Sequence, residues 1–503
     1  MRARPRDGAL IGLDLGTTGA RAIAITLDGN PLASASSGYP LSTPRPGWTE
    51  QDPEMWWAAA QAVLAEIGAT LETQPLALGL TGQMHGAVFL ESADRVIRPA
   101  ILWSDQRTVR QCKRIAELVG EENLLRITGN LAITGFQAPK VLWLRDEEPA
   151  NYRRVRSLLL PKDFIRMRLT GERATDASDA SGTLLLDLAS RDWSPEILDA
   201  LEIRREWLPT VHEGTDVTGT IRTETAERLG LPAGLPVAGG GGDNAAAAVA
   251  NGIIRSGVAS SSIGSSGVVF AFSDGPRIDV RGRLQSFCHA FPGAYHVMGV
   301  TLSAGASLRW WRDIGGAGLD YDQLAHLASQ APAGSEGLVF LPYLAGERTP
   351  HLDAHARGAF VGLHLRHTPA HLVRAVMEGV AFSLADCLDL VRSMGIPIHE
   401  VRATGGGARS ELWRQLQADV FGLPIHRNRV DEGPALGAAL LAGVACGVFA
   451  SVEEAANIVK VDEHAETPDP AAHALYEKQR RVYAALYKSM ATDMHRLAEI
   501  DEV

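Results

Sequence analysis

The chain opens on a short apolar run, ALIGLDLG (9–16), that leads into Gly-Thr-Thr-Gly. Apolar and polar positions then alternate through ARAIAITLDG (20–29) as far as Asp28-Gly29, a hairpin signal. The two segments read as antiparallel strands joined by a tight polar turn. DPEMWWAAAQAVLAEIGA (52–69) reads as a helix, with Asp52 suited to the N-cap and Pro53 to the first helical position. LALGLTGQ (76–83) reads as a further buried strand. Strands alternating with helices place the chain in the α/β class.

The opening pattern returns in VASSSIGSSGVVFAF (258–272): apolar strand, Gly-Ser-Ser-Gly, apolar strand. Aligned on the turns, Gly16 to Gly19 lies over Gly264 to Gly267, and Asp14 of the first copy faces Ser262 of the second. Either turn alone is an ordinary hairpin. Two in register, one beside an acid, suggest two similarly built domains that each offer a small-residue hairpin to a shared cleft. VRATGGGARSELWRQLQADVFG (401–422) predicts a strand, three glycines and a helix starting near Ser410. DEGPALGAALLAGVACG (431–447) predicts a small-residue helix able to pack very closely, and the tail from 470 an amphipathic helix covering the body. GGGGDNAAAA (239–248) sets four glycines directly before Asp243, at the start of another helix.

Composition narrows the function. A chain of 503 residues exceeds one core, so two or three domains are expected. A net charge of −11 argues against a nucleic-acid or anionic-membrane partner, though backbone amides can still build a local phosphate site. Cys112, Cys288, Cys387 and Cys446 show no pairing pattern and no CxxC, which suits a reducing, cytoplasmic setting. The N-terminus carries no secretory pattern, and ALIGLDLG is too short to span a membrane. Walker, GxSxG and HExxH motifs are absent.

What remains is four small-residue turns, at 16–19, 239–242, 264–267 and 405–407. Such turns present consecutive backbone N–H groups, which cradle anions. Thr17, Thr18, Ser265 and Ser266 add hydroxyl donors, a set that suits a polyphosphate between two hairpins. Asp14 reads either as a turn-capping residue or as a holder of Mg²⁺, and its place beside Gly-Thr-Thr-Gly favours the metal. Asp243 reads either as a plain N-cap or as a carboxylate held against an incoming hydroxyl. Four preceding glycines favour the second. With an ordinary pKa of about 4 it would be ionised at neutral pH.

These turns, in this order, resemble the FGGY carbohydrate kinases over nearly the whole chain. The specific stretches are GWTEQDPEMWW (47–57), TGQMHGAV (81–88), ILWSDQRT (101–108), LPKDFIRMRLTGE (160–172), GGGDNAAAA (240–248), LPYLAGERTPH (341–351), GAFVGLHLRHTPAHLVRAVMEG (358–379) and GGGARSELWRQ (405–415). The resemblance implies two actin-like (RNase H-like) ATPase domains, 1–245 and 246–503, flanking a deep catalytic cleft with Mg-ATP between them and a sugar at the bottom. It implies transfer of the γ-phosphoryl group to a terminal sugar hydroxyl. Asp243 matches the general base, and Asp14, with Asp243, the magnesium site. Thr17, Thr18 and Arg21 match the first phosphate loop, and Gly264 and Ser265 the second. Gly305 and Arg309 match the nucleotide wall, and Gly406, Gly407 and Ser410 the adenosine contact. Gln83, Met84, His85 and Asn244, with Asp243, match the sugar pocket, where Met-His-Gly-Ala implies a xylulose-type ketose. From spacing alone His85 is equally a core histidine. Ser265 stands where many members carry Thr, and Gln137 departs from the family pattern close to the sugar pocket. Ribulose, ribitol or xylitol are alternative substrates, and an actin- or Hsp70-like conformational ATPase is a more distant reading. Oligomeric state is not written in the sequence; the resemblance implies a homodimer by analogy alone, in the cytoplasm.

Overall fold

The computed structural model describes residues 7–316, 318–428, 433–462 and 464–501. Two sheets, each built around a strand–turn–strand unit, organise it. In the first, β1 (Ala9–Leu15) pairs antiparallel with β2 (Gly19–Thr26), and β2 with β3 (Pro31–Gly38). The chain then crosses in helix α1 (Pro53–Thr70) and returns as β4 (Pro75–Gly82), parallel to β1. Asp52 caps α1 by accepting the Glu54 N–H at 3.0 Å, and Pro53 sits at its start, as the sequence predicts. Trp56, Val63, Leu64 and Ile67 give α1 a buried apolar face against this sheet. β5 (Val217–Thr220) and β6 (Pro236–Ala238) extend the sheet beyond β4, and the two-residue β7 (Gly241–Gly242) pairs with the last residues of β4.

In the second sheet, β8 (Gly257–Ile263) pairs antiparallel with β9 (Gly267–Ser273). β10 (Gln285–Cys288) and β11 (Tyr295–Thr301) follow, β11 beside β9 and β10 outermost. β12 (Ile398–Thr404) returns parallel to β8, and β13 (Ile425–His426) lies at that edge. The order β3–β2–β1–β4 thus reappears as β11–β9–β8–β12. The two aligned small-residue turns mark a repeated unit of structure.

The helices that shape the site are α2 (Pro161–Thr170), α3 (Ala177–Ser181), α4 (Asp243–Ala250), α5 (Gly305–Gly315), α6 (Tyr321–Ser329), α7 (Pro369–Ser393), α8 (Glu411–Phe421), α9 (Gly433–Ala445) and α10 (Pro470–Asp501). α9 is the small-residue helix expected from the sequence; Asp431 and Glu432 of that stretch lie outside the described residues. It packs against the first sheet with backbone touching backbone. A Cβ at Gly12 would lie 1.9 Å from the Ala435 carbonyl oxygen, and one at Gly79 1.9 Å from that of Ala438. α10 lays Tyr476, Tyr483 and Met494 into the core of the second half, the covering role its amphipathic pattern predicts. Among the described residues no helix is long and apolar enough to cross a membrane.

Candidate active site

The glycines before Asp243 sit where the protein's own atoms come close, backbone at Gly239 and Gly240 and side chains at Gly241 and Gly242. A Cβ at Gly239 would lie 2.3 Å from the Glu213 carbonyl oxygen, one at Gly240 1.7 Å from that of Leu80, and one at Gly242 2.8 Å from the Met84 side chain. Gly240 also adopts φ +68°, where a side chain is strained. The run therefore threads between β4 and the 213–214 backbone and delivers Asp243 beside the end of β4. Gly242 occupies the cap position of α4, and Asp243 is the first helical residue, so the plain N-cap reading does not hold. Its Oδ1 accepts the Asn244 backbone N–H at 2.7 Å and the Asn244 side-chain amide at 2.9 Å.

Asp14, at the end of β1, lies close enough to Asp243 to feel its charge. Burial first, and the Asp243 carboxylate second, push the Asp14 pKa up to about 7, against the pull of Arg21, its cross-strand neighbour. Burial lifts Asp243 to about 6, while its two Asn244 bonds oppose the rise. The ordinary acidity expected of Asp243 from the sequence is thus corrected by enclosure. Asp14 Oδ1 is buried and takes no hydrogen bond among the described residues.

Main chain holds both turns, the Tyr39 N–H donating to the Thr18 carbonyl of the first at 3.1 Å, but the first also takes side chains. In the first, Thr17 accepts the Trp103 indole N–H on Oγ1 at 3.0 Å and the Gln51 amide on its carbonyl at 2.7 Å, and Tyr39 donates to Gly16. In the second, main chain holds main chain: Gly305 N–H donates to the Gly264 carbonyl at 2.8 Å, and Ala304 and Ala306 donate to that of Ser265 at 3.0 and 3.1 Å. A Cβ at Gly305 would come 2.4 Å from the Gly264 oxygen. Gly264, Ser265, Gly305, Arg309, Gly406, Gly407 and Ser410 line one cavity of about 570 Å³. Ser410 also caps α8 through the Trp413 N–H. Thr17, Thr18 and Arg21 belong to the first half and do not line this cavity.

Gln83 is buried, its amide donating to Gln51 Oε1 at 3.1 Å. Met84 packs against Gly242 and Gly182. His85 adopts φ +69°, an uncommon conformation for a side-chain-bearing residue. Several contacts hold it there. Its Nδ1 lies 2.6 Å from the Gly182 carbonyl, Lys140 donates to its own carbonyl at 2.7 Å, and Gln137 donates to that of Gly86 at 2.9 Å. Gln137 is therefore a backbone clamp behind the pocket. Burial pushes His85 down to about 3, so the ring is neutral. With the proton on Nδ1, Nε2 is left as an acceptor.

Other residues were not assigned roles from the sequence. Asp320, Tyr321 and Asp322 at the start of α6 and Trp413 of α8 also line the cavity. Trp103 and Arg348 fall within the quoted ILWSDQRT and LPYLAGERTPH stretches. Arg348 reaches His85 with its charge, and burial lowers its own pKa. A large aromatic or a cation next to such a string was the available signal.

The profile of the FGGY family of carbohydrate kinases, N-terminal domain, matches residues 9–250, and that of the C-terminal domain matches 259–446. The chain belongs to the FGGY family of carbohydrate kinases. FGGY membership makes ATP and a sugar its substrates and gives it the two-domain, actin-like α/β fold. This FGGY chain is 43% identical over 482 residues to a xylulose kinase of Escherichia coli K12, covering 95% of this chain and 99% of the relative. A ligand-bound xylulose kinase from Lactobacillus acidophilus superposes with a TM-score of 0.92 at 30% identity, covering 97% of this chain and 100% of that one. A gluconate kinase from Lactobacillus acidophilus superposes with a TM-score of 0.93 at 30% identity, covering 98% and 100%.

Proposed function

We propose that the chain transfers the γ-phosphoryl group of Mg-ATP to the terminal hydroxyl of D-xylulose, giving D-xylulose 5-phosphate. The observation that carries the sugar is the 43% identity, end to end, with the Escherichia coli xylulose kinase. In this reading Asp243 accepts the hydroxyl proton as the alcohol oxygen bonds to the γ-phosphorus and ADP departs. Transfer of this kind has a loose transition state, so positioning and charge stabilisation do most of the work. Thr17, Thr18 and Arg21 meet the phosphates from the first half, and Gly264 and Ser265 from the second. Gly305, Arg309, Gly406, Gly407 and Ser410 receive the rest of the nucleotide. Gln83, Met84, His85 and Asn244 shape the sugar pocket, with His85 Nε2 accepting a sugar hydroxyl.

The paired acids fit a divalent cation. Asp14 offers a buried oxygen without a hydrogen bond, Asp243 adds a second negative charge, and hard cations take such oxygens. Asp14 and Asp243 would hold Mg²⁺ directly or through water. Bound there, it would supply positive charge to offset that of the polyphosphate. We place the domain division at 1–245 and 246–503, inside α4 (Asp243–Ala250), the helix that separates the last strand of the first sheet from β8 of the second. A cytoplasmic homodimer follows from family analogy.

The test is an ADP-release assay with D-xylulose, ribulose, ribitol, xylitol and gluconate side by side. D-xylulose is expected to give the highest kcat/KM. A higher value with another sugar replaces the substrate, and rapid ATP turnover indifferent to every sugar favours a conformational ATPase.

A further inference from the structure

A run of four glycines has no side chains to hold it in place, yet it must deliver Asp243 to within a fraction of an ångström. Pairing of β7 with β4 fixes one side. The other side rests on buried charges. Arg166 of α2 donates to the Ala238 and Gly239 carbonyls, both at 2.7 Å, and grips the start of the run. At its end the Gly242 N–H, the amide directly before Asp243, donates to Ser178 Oγ at 3.1 Å.

Ser178 is itself aimed. Its hydroxyl donates to Asp176 Oδ1, which turns a lone pair toward Gly242. The same Asp176 oxygen accepts the Ser178 N–H at 2.9 Å, and Asp176 Oδ2 lies 2.6 Å from Lys162 Nζ. Lys162, Asp176 and Ser178 are all at most 1% exposed. Buried ion pairs add little net stability over apolar packing, because desolvation offsets their attraction. Their clearest physical return here is geometric: a hydroxyl with one direction. The far end of the same helix, α3, meets the sugar pocket. The Gly182 carbonyl receives His85 Nδ1, and a Cβ at Gly182 would lie 2.6 Å from the His85 ring.

We infer that Ser178 is a positioning residue for Asp243, its hydroxyl oriented by Asp176, which shares Lys162 with Asp163 and Asp179 in one buried charge cluster, to hold the amide that precedes the base. The inference rests on Asp243 acting as the base. A small error in the placement of a reacting group costs rate far more than binding.

The experiment compares wild type, Ser178→Ala and Asp243→Asn in the D-xylulose and ATP assay, with kcat referred to the concentration of sites that bind ADP, so that any misfolded fraction drops out. Ser178→Ala is expected to lower kcat about tenfold to a hundredfold, with KM for both substrates within about twofold. Equal losses through KM, or a kcat within about twofold of wild type while Asp243→Asn is inactive, overturn the positioning role and leave the base assignment standing. An Asp243→Asn enzyme with near wild-type kcat overturns both.

Discussion

Asp14 in the first half and Glu347 in the second are both pushed up to about 7, in each case chiefly by burial, and they could hardly be more different. Glu347 is fully served. It accepts Thr301 Oγ1 at 2.6 Å, the Leu302 N–H at 2.9 Å, the Arg348 N–H at 2.8 Å and Ser383 Oγ at 3.2 Å. Asp14 has an enclosed oxygen with no donor among the described residues, and the charges it feels are those of Asp243 and Arg21. A raised pKa therefore does not by itself distinguish a working carboxylate from a structural one. Their lone pairs differ: Glu347 ties the 347–349 segment to β11 and α7, whereas Asp14 Oδ1, on the residue paired across the strands with Arg21, takes no hydrogen bond among the described residues.

The widest separation should appear in turnover. Asp243→Asn is expected to lower kcat by roughly 10²–10⁴-fold, and Asp14→Asn by about 10²-fold, with ADP still bound. Glu347→Gln should stay within about threefold of wild type, because Oε1 remains an acceptor and the Thr301 and Ser383 hydroxyls can turn to receive the new amide. Steady-state rates on the three proteins decide it, and an inactive Glu347→Gln enzyme would erase the contrast. The pH dependence has a definite sign. In this reading Asp243 must be ionised to accept a proton, so the rate should rise with pH and then level off, with its midpoint below about 6 because a cation held beside the carboxylate favours the ionised form.

Stability gives the next contrast. Each carboxyl has a folded-state pKa near 7, above its ordinary value of about 4. Between those values the folded chain holds protons that the unfolded chain has lost, so stability falls as pH rises toward 7 and stays low above it. Without metal or nucleotide, Asp14→Asn removes that loss and breaks no hydrogen bond to Oδ1 among the described residues, and should melt higher than wild type by about 2 °C or more at pH 8, the gap closing toward pH 4. Glu347→Gln also removes the loss but disturbs two hydroxyl bonds worth about 1 kcal/mol each. It should gain less than Asp14→Asn at pH 8 and melt below wild type near pH 4. Thermal melts across that range in chelator test both signs.

Much of this molecule is legible in the sequence where the information is local. Short apolar runs interrupted by Gly-Thr-Thr-Gly and Gly-Ser-Ser-Gly mark β1–β2 and β8–β9, and Asp52-Pro53 marks the start of α1. Gly264, Ser265, Gly305, Arg309, Gly406, Gly407 and Ser410 could be assembled in advance because motifs keep their order along the chain, and the fold brings them to one cavity. What stayed hidden depends on distant partners. Trp103 meets Thr17 across 86 positions, and Ser178 meets Gly242 across 64. No local pattern specifies which residues will meet across such a gap. The acidity of Asp14 and Asp243 was hidden for the same reason, since enclosure is set by what packs around a group rather than by its neighbours in sequence. The glycine run carried a signal whose cause was only half readable: close approach was evident, but the closely approached surface is the protein's own Leu80, Glu213 and Met84.

The smallest effect sharpens the contrast most. If Asp14 is the carboxylate that awaits a cation, Mg²⁺ alone should stabilise the nucleotide-free chain, because a ligand that binds only the folded state adds RT ln(1 + [L]/Kd). At ten times its dissociation constant that is about 1.4 kcal/mol, a small upward step in melting temperature. Asp14→Asn should abolish the step, since the enclosed oxygen that would meet the ion is replaced by an amide arrangement with half the acceptors. Glu347→Gln should keep it in full, because its lone pairs were already committed to Thr301, Leu302, Arg348 and Ser383. A step lost equally in both variants would mean that the two buried acids share one long-range electrostatic role, and the hydrogen-bond distinction between them would carry no functional meaning.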